Sequence, residues 1–154
     1  MDSEPKEFFA YHEFSPGWKM TTNPIIFETQ EGRLDLTASV MKVGQDAVVV
    51  IWGGERPHIG AVALAQARQS LKNPEKTSAT ASVLCILGHK EDAIVKSVSE
   101  RLAAVANRSV VVTAGIHWDN LQESDLHQIL RNVETLIQMI ESYLRTSSGW
   151  ESRD

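Results

Sequence analysis

Three histidines stand within two residues of a glycine at the end of an apolar run: His58, His89 and His117. Imidazole is a common metal ligand and the side chain most easily tuned to carry protons near neutral pH. Strand ends are where sheet proteins place ligand sites, because a rigid sheet positions the loop residues. If these three ends share one side of one sheet, the histidines line one site. Their spacing lacks a compact metal-binding motif, so no metal site is predicted.

The segment from 52 to 60 carries more potential chemistry than any other part of the chain. It contains an aromatic ring, adjacent glycines, two charged side chains and an imidazole: Trp52, Gly53, Gly54, Glu55, Arg56 and His58. Adjacent glycines permit a turn with positive φ and the close approach of a ligand. A guanidinium offers paired donors to phosphate or carboxylate, and Glu55 or His58 could move a proton. The alternative is a tight hairpin whose charges are solvated.

Composition limits the possible classes of protein. A chain of 154 residues with a net charge of −5 is most simply one domain, and its charge argues against nucleic-acid binding. We expect a domain over residues 24–145, an N-terminal extension over 1–23 and a flexible tail over 146–154. No apolar run is long enough for a membrane helix, and the first residues lack a secretion signal, so a cytoplasmic location is expected. The single cysteine, Cys85, excludes an internal disulfide and is expected to be buried.

Hydrophobic periodicity predicts four strands, followed by a strand-helix-strand-helix unit. The predicted strands cover 24–30, 33–43, 47–52, 59–68, 77–87 and 109–114, and the predicted helices cover 91–107 and 122–145. The runs at 47–52 and 109–114 are continuously apolar and β-branched, which predicts strands buried on both faces.

The order of elements predicts an α+β fold with a mixed, mostly antiparallel sheet and helices on one face. The first strands should form an antiparallel meander, with a hairpin-like return after Gly54. The last strand-helix-strand unit should be a crossover between parallel strands. The carboxyl ends of parallel strands lie at one end of a sheet, so His89 and His117 should lie close together. The position of His58 is left open by this argument.

Four blocks of the sequence together resemble a known family: 51–60, 77–82, 88–92 and 112–117. They are similar to the prenylated-flavin chaperone-like accessory proteins found with UbiD-type hydroxyarylic acid decarboxylases, over about residues 24–145. The resemblance implies a protein that handles prenylated flavin mononucleotide for the large decarboxylase subunit. It also implies a fold resembling the pyruvoyl-dependent decarboxylases, which would not by itself confer their activity.

The residues and the resemblance together predict a non-catalytic binding and delivery protein for prenylated FMN or FMN. The predicted cofactor contacts are Trp52, Gly53, Gly54, Glu55, Arg56, His58, His89 and His117, with no catalytic residue and no metal. Arg56 would hold the phosphate, and Trp52 or Trp118 would provide a flat apolar wall. The expected partners are a UbiD-type decarboxylase large subunit and further copies of the chain. Self-association is expected through the alanine-rich segment 60–67 and the last helix.

Two other functions remain open from the sequence. The first is a small decarboxylase of amino or aryl acids with Glu55 or His58 as proton donor. Decarboxylation needs an electron sink, and the sequence shows neither a cofactor-lysine motif nor a convincing self-cleavage serine. The second is a structural subunit of a decarboxylase complex.

Overall fold

The computed structural model describes residues 23–88 and 90–146, which form six strands and two helices. The strands are β1 (Ile25–Glu28), β2 (Leu36–Val43), β3 (Asp46–Gly54), β4 (Ala61–Gln69), β5 (Thr77–Cys85) and β6 (Val110–His117). The helices are α1 (Asp92–Ala106) and α2 (Glu123–Thr146). This order is the one predicted from the sequence. Nearly all of the expected extension and tail lies outside the described residues.

One six-stranded mixed sheet has the order β1-β2-β3-β6-β4-β5. Strands β1, β2 and β3 form the predicted antiparallel meander. Strand β6 lies parallel to β3 and antiparallel to β4, and β4 is antiparallel to β5. It follows that β5 and β6 are parallel, as predicted, with β4 between them. The fold is α+β, in agreement with the sequence.

The hairpin-like return predicted after Gly54 is wrong. Strands β3 and β4 are not neighbours, because β6 lies between them and pairs with both. The segment 55–60 therefore passes over the end of β6 to connect β3 with β4. A hairpin signal in the sequence describes a local turn, and it carries no information about a strand that enters the sheet about 50 residues later.

Both helices cover the same face of the sheet. Strands β2, β3, β4 and β6 bury alternate residues on this face, including Leu36, Ile51 and Val112. The intervening residues of β3 are only partly buried. The prediction that β3 is buried on both faces is therefore wrong, and β6 shows a similar alternation over its first half. The reason is that neither described helix packs against the second face, which we call the open face.

Alanines on β4 allow α1 to pack closely on the sheet. Ala61, Ala63 and Ala65 are buried, as are Val98 and Leu102 on the facing side of α1. Small side chains leave room for the larger residues of the helix, as close packing of the interior requires. The alanine-rich stretch was expected to form a self-association surface, but Ala61, Ala63 and Ala65 are covered by α1 and cannot be part of one.

Helix α2 packs its apolar stripe on β1 and β2 and keeps a polar outer face. Its fully buried Asn132 donates from Nδ2 to the carbonyl oxygen of Leu34 at 2.7 Å, which fixes α2 against the chain before β2. Arg101 of α1 forms ion pairs with Glu134 and Glu141 of α2 and joins the two helices. Neither described helix is long and apolar enough to cross a membrane.

The end of β5 is more exposed than the sequence suggested. Strand β5 is one of the two edge strands of the sheet and ends at Cys85, two residues earlier than predicted. Cys85 is exposed, so the expectation of a buried cysteine is wrong. An apolar run at a sheet edge has a neighbouring strand on one side only, which leaves several of its side chains in solvent.

Candidate functional site

The segment 55–60, which we call the crossing segment, is tied to β6 at both ends. The N–H of Glu55 donates to the carbonyl oxygen of His117 at 2.8 Å, and the N–H of Gly60 donates to that of Ala114 at 2.9 Å. Between these two bonds the chain lies across the last residues of β6. Arg56 and His58 are thereby brought to the end of the strand that carries His117.

Glycines make this crossing possible. A Cβ atom on Gly115 would lie 1.7 Å from the carbonyl oxygen of His58, and one on Gly54 would lie 1.9 Å from that of His117. Gly54 also has a φ of +94°, which side chains disfavour. A Cβ on Gly60 would lie 2.7 Å from a carboxylate oxygen of Glu91. The contacts at Gly54 and Gly115 are with backbone atoms and lie far inside van der Waals separation, so the crossing requires glycine at these two positions; at Gly60 the Glu91 side chain would have to move.

Two of the three predicted histidines and the predicted arginine meet at this point. The rings of His58 and His117 stand edge to face with centroids 6.1 Å apart. Nη2 of Arg56 lies 3.0 Å from Nε2 of His117 and also donates to the Asp119 carboxylate. The structure thus brings Arg56, His58 and His117 together. His89 lies outside the described residues.

His117 stands between a cation and an anion. Its Nε2 is 3.0 Å from Nη2 of Arg56 and 3.1 Å from Oδ1 of Asp119. One ring nitrogen cannot accept from Arg56 and donate to Asp119 at the same time, so the preferred contact depends on where the imidazole proton lies. The hydrogen bonds from His117 and Arg56 lower the pKa of the Asp119 carboxyl below its usual range. The ionised Asp119 carboxylate is therefore the group to which Arg56 and His117 form hydrogen bonds.

Two glutamates complete the polar part of the site. Oε2 of Glu55 accepts from the N–H of Asp119 at 3.3 Å. Glu91 precedes α1 and is buried, and its Oε1 lies 3.5 Å from Nε2 of His58. The Nδ1–H of His58 donates to the carbonyl oxygen of Arg56 at 3.0 Å, which fixes the ring. Among the described residues, no three His, Cys, Asp or Glu side chains form a group that could hold a metal ion.

An apolar cleft of about 400 Å³ opens beside this polar cluster. It lies between the start of α1, the end of β6 and the first turns of α2. Its walls are mostly aliphatic and include His117: Gly88, Lys90, Glu91, Ile94, Ile116, His117, Leu121, Leu126, Ile129 and Leu130. A volume of this size is typical of small-molecule sites. The polar cluster and the cleft share His117, so charged side chains lie beside an apolar interior.

Of the predicted contacts within the described residues, His117 is the one that lines the cleft; Gly54, Glu55, Arg56 and His58 lie beside it on the crossing segment and the end of β3, and the tryptophans and Gly53 lie further away. Trp52 pairs with Gly115 across the strands and is half-buried on the open face, beside the crossing segment. Gly53 is buried and packs against Leu36, which leaves no room for a side chain. Trp118 is 7% exposed and belongs to the core, so it cannot serve as an exposed flavin wall.

Sequence reasoning missed several residues of the site. Asp119 and Glu91 are not among the contacts predicted from the sequence, yet each faces one of the converging histidines. Leu126 and Leu130 belong to the apolar pattern of α2, but they are exposed at the cleft instead of buried in the core. In the sequence, these two leucines are marked only by their four-residue spacing, which places them on one side of α2 beside its buried residues.

The molecule is thus an α+β protein with a cleft at the ends of its central strands, where such folds commonly place ligands. The family model described as the prenylated flavin chaperone LpdD-like domain matches residues 30–145. The chain belongs to this family, which confirms the resemblance seen in the sequence. The matched region contains the crossing segment, both converging histidines and the whole cleft.

Two known proteins show the extent of the similarity. The chain is 25% identical over 122 residues to Protein LpdD of Lactiplantibacillus plantarum, covering 77% of this chain and 84% of that protein. A chain in the crystal structure of a novel chaperone complex for yeast 20S proteasome assembly aligns with a TM-score of 0.48 and 13% identity. That alignment covers 79% of this chain and 97% of the other.

We predict that Gly115→Ala destabilises the protein by about 1–3 kcal/mol, the usual cost of an extra buried methyl group without room. The added Cβ meets a backbone oxygen, which cannot swing away as a side chain would. Urea denaturation of the variant measures the change in the free energy of unfolding. Ser82→Ala, at an exposed position of β5, is the control and should be close to neutral. Equal stability of Gly115→Ala and wild type would contradict the crossing geometry.

We predict that Arg56→Ala and His117→Ala each raise the pKa of Asp119, because each removes a group that stabilises its ionised form. In the wild type, this carboxylate favours the folded state above its unfolded-state pKa, and the benefit is lost as the pH falls through the lower folded-state value. Carboxyl ¹³C NMR titration measures the shift. Arg145→Ala, which removes an exposed arginine in the last turn of α2, is the control and should leave the Asp119 titration as in the wild type. An unchanged Asp119 titration in Arg56→Ala and His117→Ala would contradict the cluster.

Proposed function

We propose that the protein is a non-catalytic binding and delivery protein for prenylated FMN or FMN, serving a UbiD-type hydroxyarylic acid decarboxylase in the cytoplasm. The observation that carries the proposal is the meeting of Arg56 and His58 with His117, which itself lines an apolar cleft. Membership of the prenylated flavin chaperone family supports the choice of ligand. A flavin nucleotide needs an anion-binding group, an apolar wall and a few polar donors, and this site offers all three.

The phosphate of the flavin is assigned to Arg56. Its side chain is 65% exposed and can reach a ligand at the cleft mouth. Its present partner Asp119 is also exposed, so a phosphate dianion can replace the carboxylate on the guanidinium at low desolvation cost. Lys90 lines the same cleft and adds a second cation. Glu55 and Asp119 surround the arginine with negative charge, which favours release and suits a carrier better than a permanent holder.

The flavin ring is assigned to the aliphatic interior of the cleft. Ile94, Ile116 and Leu121 are partly buried there, and Leu126 and Leu130 form an exposed rim. His117 lies between the charged mouth and this interior, where it can donate to a ring or ribityl oxygen. Gly54 and His89 remain proposed contacts of the ligand, whereas Gly53 packs against Leu36 and Trp52 lies on the open face.

The surface around the cleft suits contact with a larger protein. Ile86, Leu87, Leu126 and Leu130 are exposed, and Leu87 is 97% accessible. Grouped apolar side chains on a protein surface commonly mark an interaction site. We propose that the decarboxylase large subunit docks on this apolar rim, so that flavin passes between the proteins without entering bulk water. Self-association of the chain is part of the same proposal.

We predict that Arg56→Ala weakens binding of FMN and of prenylated FMN by about tenfold or more, the loss expected for a charged hydrogen bond of ~1.5–3 kcal/mol. Isothermal titration calorimetry measures both affinities. Arg145→Ala, which removes an exposed arginine at the end of α2, is the matched control and should bind as the wild type does. Wild-type protein that binds neither flavin would refute the proposed function. Unchanged affinity in folded Arg56→Ala would refute the role of Arg56 alone.

We predict that Leu87→Asp reduces binding to a UbiD-type decarboxylase at least tenfold, because it places a charge in the apolar rim. Leu71→Asp is a matched control, since Leu71 is 91% exposed in the β4–β5 turn at the other end of the sheet. Surface plasmon resonance with immobilised decarboxylase compares the two variants. Equal loss in both, or in neither, would argue against docking at the cleft rim.

A further inference from the structure

The open face of the sheet carries a continuous apolar band. Cross-strand partners share a face, so the strand register defines rows of neighbouring side chains. One row runs across all six strands: Ile26, Ser39, Val50, Thr113, Val62 and Leu84. The next row runs across five strands: Met41, Val48, Val111, Leu64 and Ser82. Eight of these eleven side chains are apolar, and the others are neutral hydroxyls.

Exposure of this band is high for a sheet face. Ile26 is 50% exposed, Leu64 45% and Leu84 75%. The valines of the central strands are only partly buried. A contiguous apolar surface of this kind marks an interaction site on a soluble protein. Neither row contains a charged side chain, so this band is not built to recognise a charged ligand or an acidic or basic partner.

We propose that a second copy of this chain covers the open face, forming a two-fold symmetric dimer through face-to-face packing of the two sheets. A two-fold interface requires a self-complementary surface, and a band of neutral apolar side chains meets that requirement. Two such sheets pack about 10 Å apart with interdigitated side chains, as in β-sandwiches. The inference rests on the proposed self-association and assigns it to the open face, because the alanines of β4 face the helices.

The area of the face suits a stable dimer. Strands β2 to β6 have eight or nine residues and β1 has four. At a spacing of ~4.8 Å and ~3.4 Å per residue, they give a face of roughly 600 Å². This area is at the lower end of the ~600–1,000 Å² per partner that standard interfaces bury. The cleft and its apolar rim lie at the ends of the strands and on the helix side, so the dimer would leave both accessible. The two copies together would present two cofactor sites.

Sedimentation equilibrium of the full chain at several concentrations tests the proposal. The wild type should have about twice the monomer mass of 17.1 kDa. Leu64→Glu should shift it to the monomer mass, because two charges would face the interface across the two-fold axis. Leu84→Glu tests the same face on a more exposed position and decides the matter if Leu64→Glu fails to fold. Met139→Glu, on the partly exposed side of α2, is the control and should remain dimeric.

The outcomes separate the proposals. A wild type that remains monomeric would overturn both the assigned interface and the proposed self-association, and would point to residues 1–22 or another protein as the cover of this face. A dimer that survives both open-face substitutions would overturn the assigned interface only. Flavin affinity of Leu64→Glu, measured by calorimetry, should equal that of the wild type. A dimer without flavin binding would leave this inference standing and refute the flavin proposal.

Discussion

The passage of the crossing segment over the end of β6 is the constraint on which the arrangement of this protein depends. The carbonyl oxygen of His58 occupies the space where a side chain of residue 115 would stand, and the carbonyl of His117 does the same at residue 54. Because these positions are glycine, β6 can lie between β3 and β4 with its end covered by the connection between them. The same contacts place Arg56 and His58 beside His117. The sheet order and the chemistry of the site thus have one physical cause.

The division of the sheet into two unlike faces follows from where the helices pack. Small side chains on β4 let α1 approach closely, and the apolar stripe of α2 covers β1 and β2. Apolar burial is concentrated in that layer, which supplies most of the stabilisation of the fold. The cleft lies between the start of α1, the first turns of α2 and the end of β6. The open face has valines and leucines of its own, and they are available for contact with another protein.

The charge balance of the site is compatible with the proposed carrier role. Arg56 is surrounded by the carboxylates of Asp119 and Glu55, and His58 faces the buried carboxylate of Glu91. An anionic ligand must displace one of these carboxylates, which lowers its affinity relative to an uncompensated arginine. His117 belongs to the same network, since its Nε2 lies between Arg56 and Asp119.

The sequence by itself determined the order of strands and helices, the α+β class, the family and the selection of His58 and His117 as site candidates. These depend on local periodicity, on turn residues and on the end-of-strand positions of His58 and His117, all of which are encoded within a few residues. Only the tertiary structure decided that β6 separates β3 from β4 and that β3 has an open face. It alone showed that Cys85 is exposed and that Trp118 is buried. It also placed Asp119 and Glu91 against the histidines. These features arise from contacts between residues distant in sequence, such as Gly115 with His58, and neither residue's local pattern reveals such a contact.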